Sequence, residues 1–231
     1  MRPGEKPEIA RLPLFSDMAE AERDRVFSGS FLQVFPPQLT LFEQGQRADF
    51  LHVLVDGLAE LYAHGAGRDT TMRIVEPVSS FILAAVVTDM PYLMSARTLI
   101  PSRILLVPAA LVREIIKQDT ALMQATMREL ALGYRDLVRA LADMKLRQST
   151  ERLGHYLLAQ SARHNDAMSF DLCGEKRLLA SLLGMTPENL SRAFGQLAAH
   201  GVTIDGPSIR ITDAQALARF AKPDANLHDQ G

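Results

Sequence analysis

The spacing of apolar positions changes twice along the 231-residue chain. From residue 30 to residue 108, apolar side chains come in short β-rich runs: "FLQVF", "TLFE", "FLHVLV", "LAELYA", "TTMRIV" and "RILLVP". Turn signals separate them at Pro36-Pro37, Gly45, Asp56-Gly57, "HGAGRD" and Pro77. Many short strands with frequent turns predict an antiparallel barrel or jelly roll. Ahead of them, "FSDMAEAERDRVF" predicts a short helix with Ser16 as N-cap and Glu20 in its first turns. One run breaks the strand pattern. In residues 81–97, "FILAAVVTDMPYLMSAR", Asp89 is the only charge before Arg97, and the first half reads as an apolar helix. It could serve as core packing, as a membrane-seeking piece or as the wall of a ligand pocket.

The second region is one long helix. Asp119 or Thr120 can cap it, and no Gly or Pro interrupts it before Gly133. Met123, Met127, Leu130, Tyr134, Leu137, Leu141 and Met144 alternate in steps of four and three. That is an a/d seam held for three heptads, the pattern of two helices packing along their length. A helix lying on its own barrel normally shows a wider apolar stripe, so the narrow seam predicts a homodimer. Gly133 costs the helix about 1 kcal/mol relative to Ala, and it leaves room for close approach of a partner.

The third region is helical with a small hairpin. "STERLGHYLLAQSARHN", "GEKRLLASLLG" and "TPENLSRAFGQLAAHG" predict three helices, and "VTI" and "SIRI" predict two strands around Asp205-Gly206-Pro207. Helix, helix, short turn, helix and wing is the winged helix-turn-helix order. The whole reads as an α+β chain in three parts: an antiparallel barrel or jelly-roll domain over 1–118, a dimerisation helix over 119–147, and a winged helix-turn-helix domain over 148–231.

Composition narrows the chemistry. The chain is 47% hydrophobic and 23% charged, with a net charge of −2, so nucleic-acid binding must rest on a local patch. Cys173 is the single cysteine, which excludes an intramolecular disulfide, a Cys-ligated iron–sulfur cluster and a zinc finger. Cys173 itself reads as a small half-buried hydrophobe. No apolar run approaches the roughly 18–20 residues that span a bilayer, and "MRPGEKPEIARLPLF" lacks a signal-peptide core, so the expectation is a cytoplasmic protein without membrane attachment. No nucleophile–base pair, metal cluster or phosphate loop stands out, so no catalytic residue is assigned and an enzyme is not expected.

The turn "LLGMTPENLSR" carries the most specific chemistry. Gly184 can take the positive φ of a tight helix–helix turn, Thr186 is a preferred N-cap, and Pro187 stands at N1, where its missing N–H costs nothing. Glu188, Ser191 and Arg192 then share one face of the helix's first turns. Arg can bond guanine O6 and N7 together, and Glu can accept from cytosine N4. Lys176 and Arg177, at the start of the preceding helix, are placed to touch phosphates. Double-stranded DNA is the expected partner, with each half of the dimer on one half-site about one helical turn from the other.

These residues resemble the cyclic-AMP receptor protein/FNR (CRP/FNR) family of bacterial transcription regulators over nearly the whole chain. The resemblance rests on "TLFEQGQRADFLHVLVDGLAELY", "MKLRQSTERLGHYLL" and "GMTPENLSRAFGQLAAHG". It implies a β-roll sensor, a dimerising helix, a winged helix and RNA polymerase as a partner. The E-x-x-S-R pattern of the FNR branch is matched by Glu188, Ser191 and Arg192, which implies a two-fold TTG…CAA-like site. In the cyclic-AMP branch an Arg precedes this Glu, and here Pro187 stands there.

Cyclic-nucleotide binders of the family carry a cassette resembling G-E-L…R-S/T-A. Here "MSA" replaces R-S-A, so Met94 stands for the phosphate Arg, and Ala84 stands for the ribose Glu. A buried phosphodiester without a cation costs several kcal/mol, so cyclic AMP is not the expected effector. Arg97 lies three residues beyond Met94 and on a strand faces the other side. The run "FILAAVVTDMPYLMSARTL" resembles the nitric-oxide-responsive Dnr/NnrR branch, regulators of denitrification genes, which implies haem as the sensor. Haem needs an apolar cavity and an axial ligand such as His. Of His52, His64, His155, His164, His200 and His228, His52 is the one expected near the sensor core. The effector pocket is then assigned to Phe81, Leu83, Met94 and Arg97. The competing reading is a regulator that has lost its ligand and answers to abundance or to a partner protein.

Overall fold

The computed structural model describes residues 1–65, 67–164, 167–172 and 175–221. Cys173 and His228 lie outside the described residues, so their assignments are not addressed further. The chain divides after Tyr134 into two compact units.

The N-terminal unit begins with α1 (Lys6–Ile9) and α2 (Glu20–Gly29). The strands that follow are β1 (Phe31–Phe35), β2 (Thr40–Phe42), β3 (Phe50–Asp56), β4 (Ala59–Gly65), β5 (Arg68–Val75) and β6 (Ser79–Phe81). Then come α3 (Leu83–Thr88), β7 (Ser95–Thr98), β8 (Ser102–Pro108) and α4 (Ala109–Ile115). The strands form two four-stranded antiparallel sheets, ordered β1-β8-β3-β6 and β2-β7-β4-β5. The second sheet alternates as a half-buried sheet should. Ala59, Leu61 and Ala96 join the hydrophobic core with Leu54, Phe81 and Ile104 of the first sheet, while Glu60, Tyr62 and Arg97 point to the other face. Helices α2 and α4 close the core with Val26, Phe27, Val112 and Ile115. Each of these fully buried side chains contributes about 1.5–3 kcal/mol. At the turn between β3 and β4, Gly57 takes φ +102°, and a Cβ there would meet the Ser102 backbone at 2.6 Å.

The apolar helix expected inside 81–97 is α3, and the strands agree with the apolar runs. Two details differ. Ser16 does not cap α2; Ala19 precedes it, and its amide donates to Asp119 Oδ2 at 2.9 Å. Helix α4 fills the segment between the last strand and the long helix. The run "RILLVPAALVREII" has no polar residue between Arg103 and Arg113, so no polar position marks the change of period from strand to helix.

Helix α5 (Thr120–Leu146) runs for 27 residues, ~40 Å at 1.5 Å per residue. Asp119 caps it, accepting the Leu122 amide on Oδ1 at 2.8 Å. One carboxylate therefore serves the amide ahead of α2 and the first turn of α5. The rest of the C-terminal unit is α6 (Ser149–Arg163), β9 (Ser169–Asp171), α7 (Lys176–Leu182), α8 (Pro187–Leu197), β10 (Val202–Asp205), β11 (Ser208–Ile211) and α9 (Ala214–Ala221). The wing is a three-stranded sheet ordered β10-β11-β9. Leu153 and Leu157 of α6, Leu190 and Leu197 of α8, Ile209 of β11 and Leu217 of α9 form its separate core.

Candidate nucleic-acid interface and sensor site

Helix α8 is set up by its own sequence. α7 ends at Leu182, Gly184 turns the chain with φ +63°, and the Thr186 side chain accepts the Asn189 amide at 3.3 Å. Pro187 opens the helix. Leu190, Ala193, Phe194 and Leu197 are buried, which leaves Glu188, Ser191 and Arg192 exposed together on the opposite side. Asn189 adds a contact that spacing alone did not single out. Its Oδ1 accepts Arg192 Nη2 at 2.6 Å, so the guanidinium is held over the first turn of the helix. The Glu188 amide and the Thr186 hydroxyl keep the Glu188 carboxyl below the usual carboxylate range, and Arg192 adds to this. Glu188 is thus an acceptor at neutral pH, the state that cytosine N4 requires. Lys176 and Arg177 are exposed at the start of α7, where a phosphate contact is possible.

The seam residues divide by environment. Met127, Tyr134 and Leu137 are 63%, 69% and 62% exposed, and Met123 and Leu141 are exposed with them. A row of large apolar side chains open to water on one helix face is the surface a second helix would cover. Two of the seven also meet neighbours within the chain. Leu130 and Ala125 are half-buried against the core of the N-terminal unit, and Leu122 is buried within it. Met144, although half exposed, lies against the turn of the helix-turn-helix, where a Cβ on Gly184 would meet its Cε at 2.5 Å. The heptad gives the face of the helix and not which neighbour that face meets.

The expected effector pocket is packed. Phe81 and Leu83 are buried core residues, Met94 is half-buried against that core, and Ala84 is exposed. Neither Ala84 nor Met94 offers a charge to a nucleotide. The Ser95 hydroxyl accepts the Gln44 amide at 2.9 Å. Arg97 does not belong with this group. Its Nε donates to Glu60 Oε2 at 2.6 Å and its Nη1 to Asp69 Oδ2 at 3.3 Å, and its guanidinium lies 4.4 Å above the Tyr62 ring. Thr71 donates to the other Glu60 oxygen at 2.6 Å. This cluster occupies the outer face of the sheet and satisfies Glu60, which is 1% exposed. Arg97 is a structural ion-pair partner and not a pocket residue.

His52 is 5% exposed and lies between aromatic rings, 4.9 Å from Phe42 and 5.3 Å from Phe81. Tyr92 stacks on Phe42 at 4.1 Å. Burial pushes the imidazole down to about 4, against the smaller opposing pull of the Phe50 carbonyl. The ring is neutral, and among the described residues its Nδ1 has no hydrogen-bond partner. That is ligand-competent chemistry, but His52 is 5% exposed and a macrocycle on it would have to displace the packed Phe42 and Phe81 rings. Among the described residues no group of three or more His, Cys, Asp or Glu could hold a metal ion, and no helix is long and apolar enough to cross a membrane.

Comparison with known proteins gives the same architecture. Residues 32–119 match the cyclic nucleotide-binding domain and residues 151–220 match the Crp-like helix-turn-helix domain. None of the curated protein sequences compared matches the chain. Among solved structures, a proposed cAMP-binding regulatory protein from Silicibacter pomeroyi DSS-3 is 25% identical at TM-score 0.60, over 96% of this chain and 100% of that one. FixK2 from Bradyrhizobium japonicum is 19% identical at TM-score 0.74, over 83% and 96%. A CooA mutant from Carboxydothermus hydrogenoformans is 14% identical at TM-score 0.73, over 85% and 90%. The last two share the fold. With a cyclic nucleotide-binding domain, a long connecting helix and a Crp-like helix-turn-helix in one chain, this protein belongs to the CRP/FNR family of DNA-binding transcription regulators.

Proposed function

We propose that the chain acts as a homodimer that reads a two-fold symmetric, TTG…CAA-like operator and engages RNA polymerase from there. The exposed face of α8 carries this reading: Glu188, Ser191 and Arg192 stand together, and Arg192 is already held by Asn189. Helix α5, with residues in both units, would couple the sensor to this face. The test is a binding titration at fixed salt with a TTG…CAA duplex and a scrambled duplex. Specific binding should exceed non-specific binding by about a thousandfold or more. Equal affinity for the two would end the operator reading.

Cyclic AMP is not the effector in this reading, because Met94 and Ala84 leave its phosphate and ribose without charged partners. Calorimetry with cyclic AMP should give no binding heat at micromolar concentrations. Nitric oxide sensed through haem draws its support from the Dnr/NnrR-like run at 81–99. The closed packing of His52 between Phe42 and Phe81 favours the second reading, a regulator set by its abundance or by a partner protein. An absorption spectrum of the protein purified with haem supplied separates the two. A Soret band that shifts with nitric oxide would restore the haem switch. A colourless protein with full operator affinity would support the second reading.

A further inference from the structure

Only Arg147 and Gln148 separate α5 from α6, a length that leaves a swivel unless side chains restrain it. They do. Arg147 is nearly buried, its side chain 8% exposed. Its Nε donates to Asp143 Oδ1 at 2.6 Å, and its Nη1 donates to the carbonyl of Ala221, at the end of α9. The second Asp143 oxygen meets His155 Nδ1 of α6 at 3.1 Å. Burial alone would raise the Asp143 carboxyl, but His155 and Arg147 outweigh it and hold Asp143 below its ordinary value. Arg152 closes the other side. Its Nη1 donates to the Arg147 carbonyl at 2.8 Å and its Nε to the Leu183 carbonyl at 3.1 Å, one residue before the Gly184 turn. Met144 rests on that same Gly184.

The last turns of α5 are therefore tied to α6, to α9 and to the turn ahead of the recognition helix. Each tie is a charge-assisted hydrogen bond or a close packing contact, and Arg147 and Asp143 are too enclosed to exchange partners with water freely. We propose that Arg147, Asp143 and His155 form a clamp that fixes the angle between α5 and α8, and that this angle sets the half-site spacing the dimer accepts. The inference rests on the operator reading above. In a two-fold dimer the recognition helices are a fixed distance apart only if each is rigid on its dimerisation helix. Arg147 touches no base in this scheme; it is a positioning residue.

The test uses the full-length dimer with duplexes whose TTG and CAA half-sites are moved apart or together by one and two base pairs. Wild-type protein should bind one spacing best and fall off sharply on either side. Arg147→Ala should lose about tenfold of that preference, the factor common for coupling between contacting groups, while its affinity for a single half-site stays unchanged. Arg147→Lys keeps a charge for Asp143 but not the fork that also reaches Ala221, and should fall between. Asp143→Asn, nearly identical in shape, covers the case in which Arg147→Ala fails to fold. Amide hydrogen exchange across residues 146–152, which needs no DNA, should quicken in the variants. Unchanged exchange or an unchanged spacing preference overturns the clamp. If wild-type protein binds no TTG…CAA duplex at any spacing, the operator reading fails, and the exchange arm still decides whether the ties hold the junction.

Discussion

His52 and Arg97 show what one residue contributes and what its spacing conceals. Burial holds His52 at about 4, against 6.5 when exposed. Between those values the unfolded chain binds a proton that the folded chain refuses. Stability is therefore full above pH 6.5 and falls as pH drops toward 4, by ~1.4 kcal/mol per unit and ~3 kcal/mol in all. His52→Phe, which suits the aromatic surroundings, should remove that share. Urea unfolding of both proteins at pH 7 and pH 4.5 measures it, and identical pH slopes would contradict the buried, neutral imidazole. Arg97 was legible as facing away from Met94, because strand residues alternate. Its partner Glu60 was not, because the register of β4 against β7 joins positions 37 residues apart, and no local pattern encodes it. Arg97→Ala leaves the Glu60 carboxylate enclosed with Thr71 alone. It should cost toward the lower end of about 3–5 kcal/mol, since Arg97 is itself partly exposed. A thermal melt that leaves the N-terminal unit unchanged would sink the ion-pair assignment.

Among the elements, α5 was the most legible and α8 the most informative. A 27-residue run with few breakers and a heptad of large apolar residues fixes helix and face together. It does not say that Leu130 turns to the roll, or that Met144 turns to Gly184, because those neighbours come from distant sequence. Leu137 remains exposed on the seam. Leu137→Glu should leave each unit folded, shift sedimentation to the monomer and abolish operator binding. A Leu137→Glu dimer with full DNA affinity would move the dimer interface elsewhere. In α8, Thr186, Pro187 and Gly184 act locally, so cap, first turn and reversal could be read in order. Strand β9 and helix α9 could not. "SFD" is too short to carry a period, and α9 follows a wing whose turn residues dominate the pattern.

For the whole molecule, the fold was readable because two changes of period mark a roll, a helix and a winged helix, and the roll and the winged helix each have a core of their own. The sensor was less readable. The family resemblance implied that Met94 and Ala84 stand where a charged cassette would be, but not that Phe42, Phe81 and Tyr92 gather around His52. That gathering depends on strands from both sheets folding together. The clamp at Arg147 was invisible for the same reason, since Asp143, His155 and Ala221 meet only after α6 and α9 pack. The central claim concerns the recognition face, which local sequence does specify. It is tested most directly by titrating wild type and Arg192→Ala against a TTG…CAA duplex and its single base-pair variants at one salt concentration. The account predicts that Arg192→Ala loses about 1–3 kcal/mol at the parent site and no longer distinguishes one G·C pair from its replacements. Unchanged affinity and selectivity in that variant would contradict it.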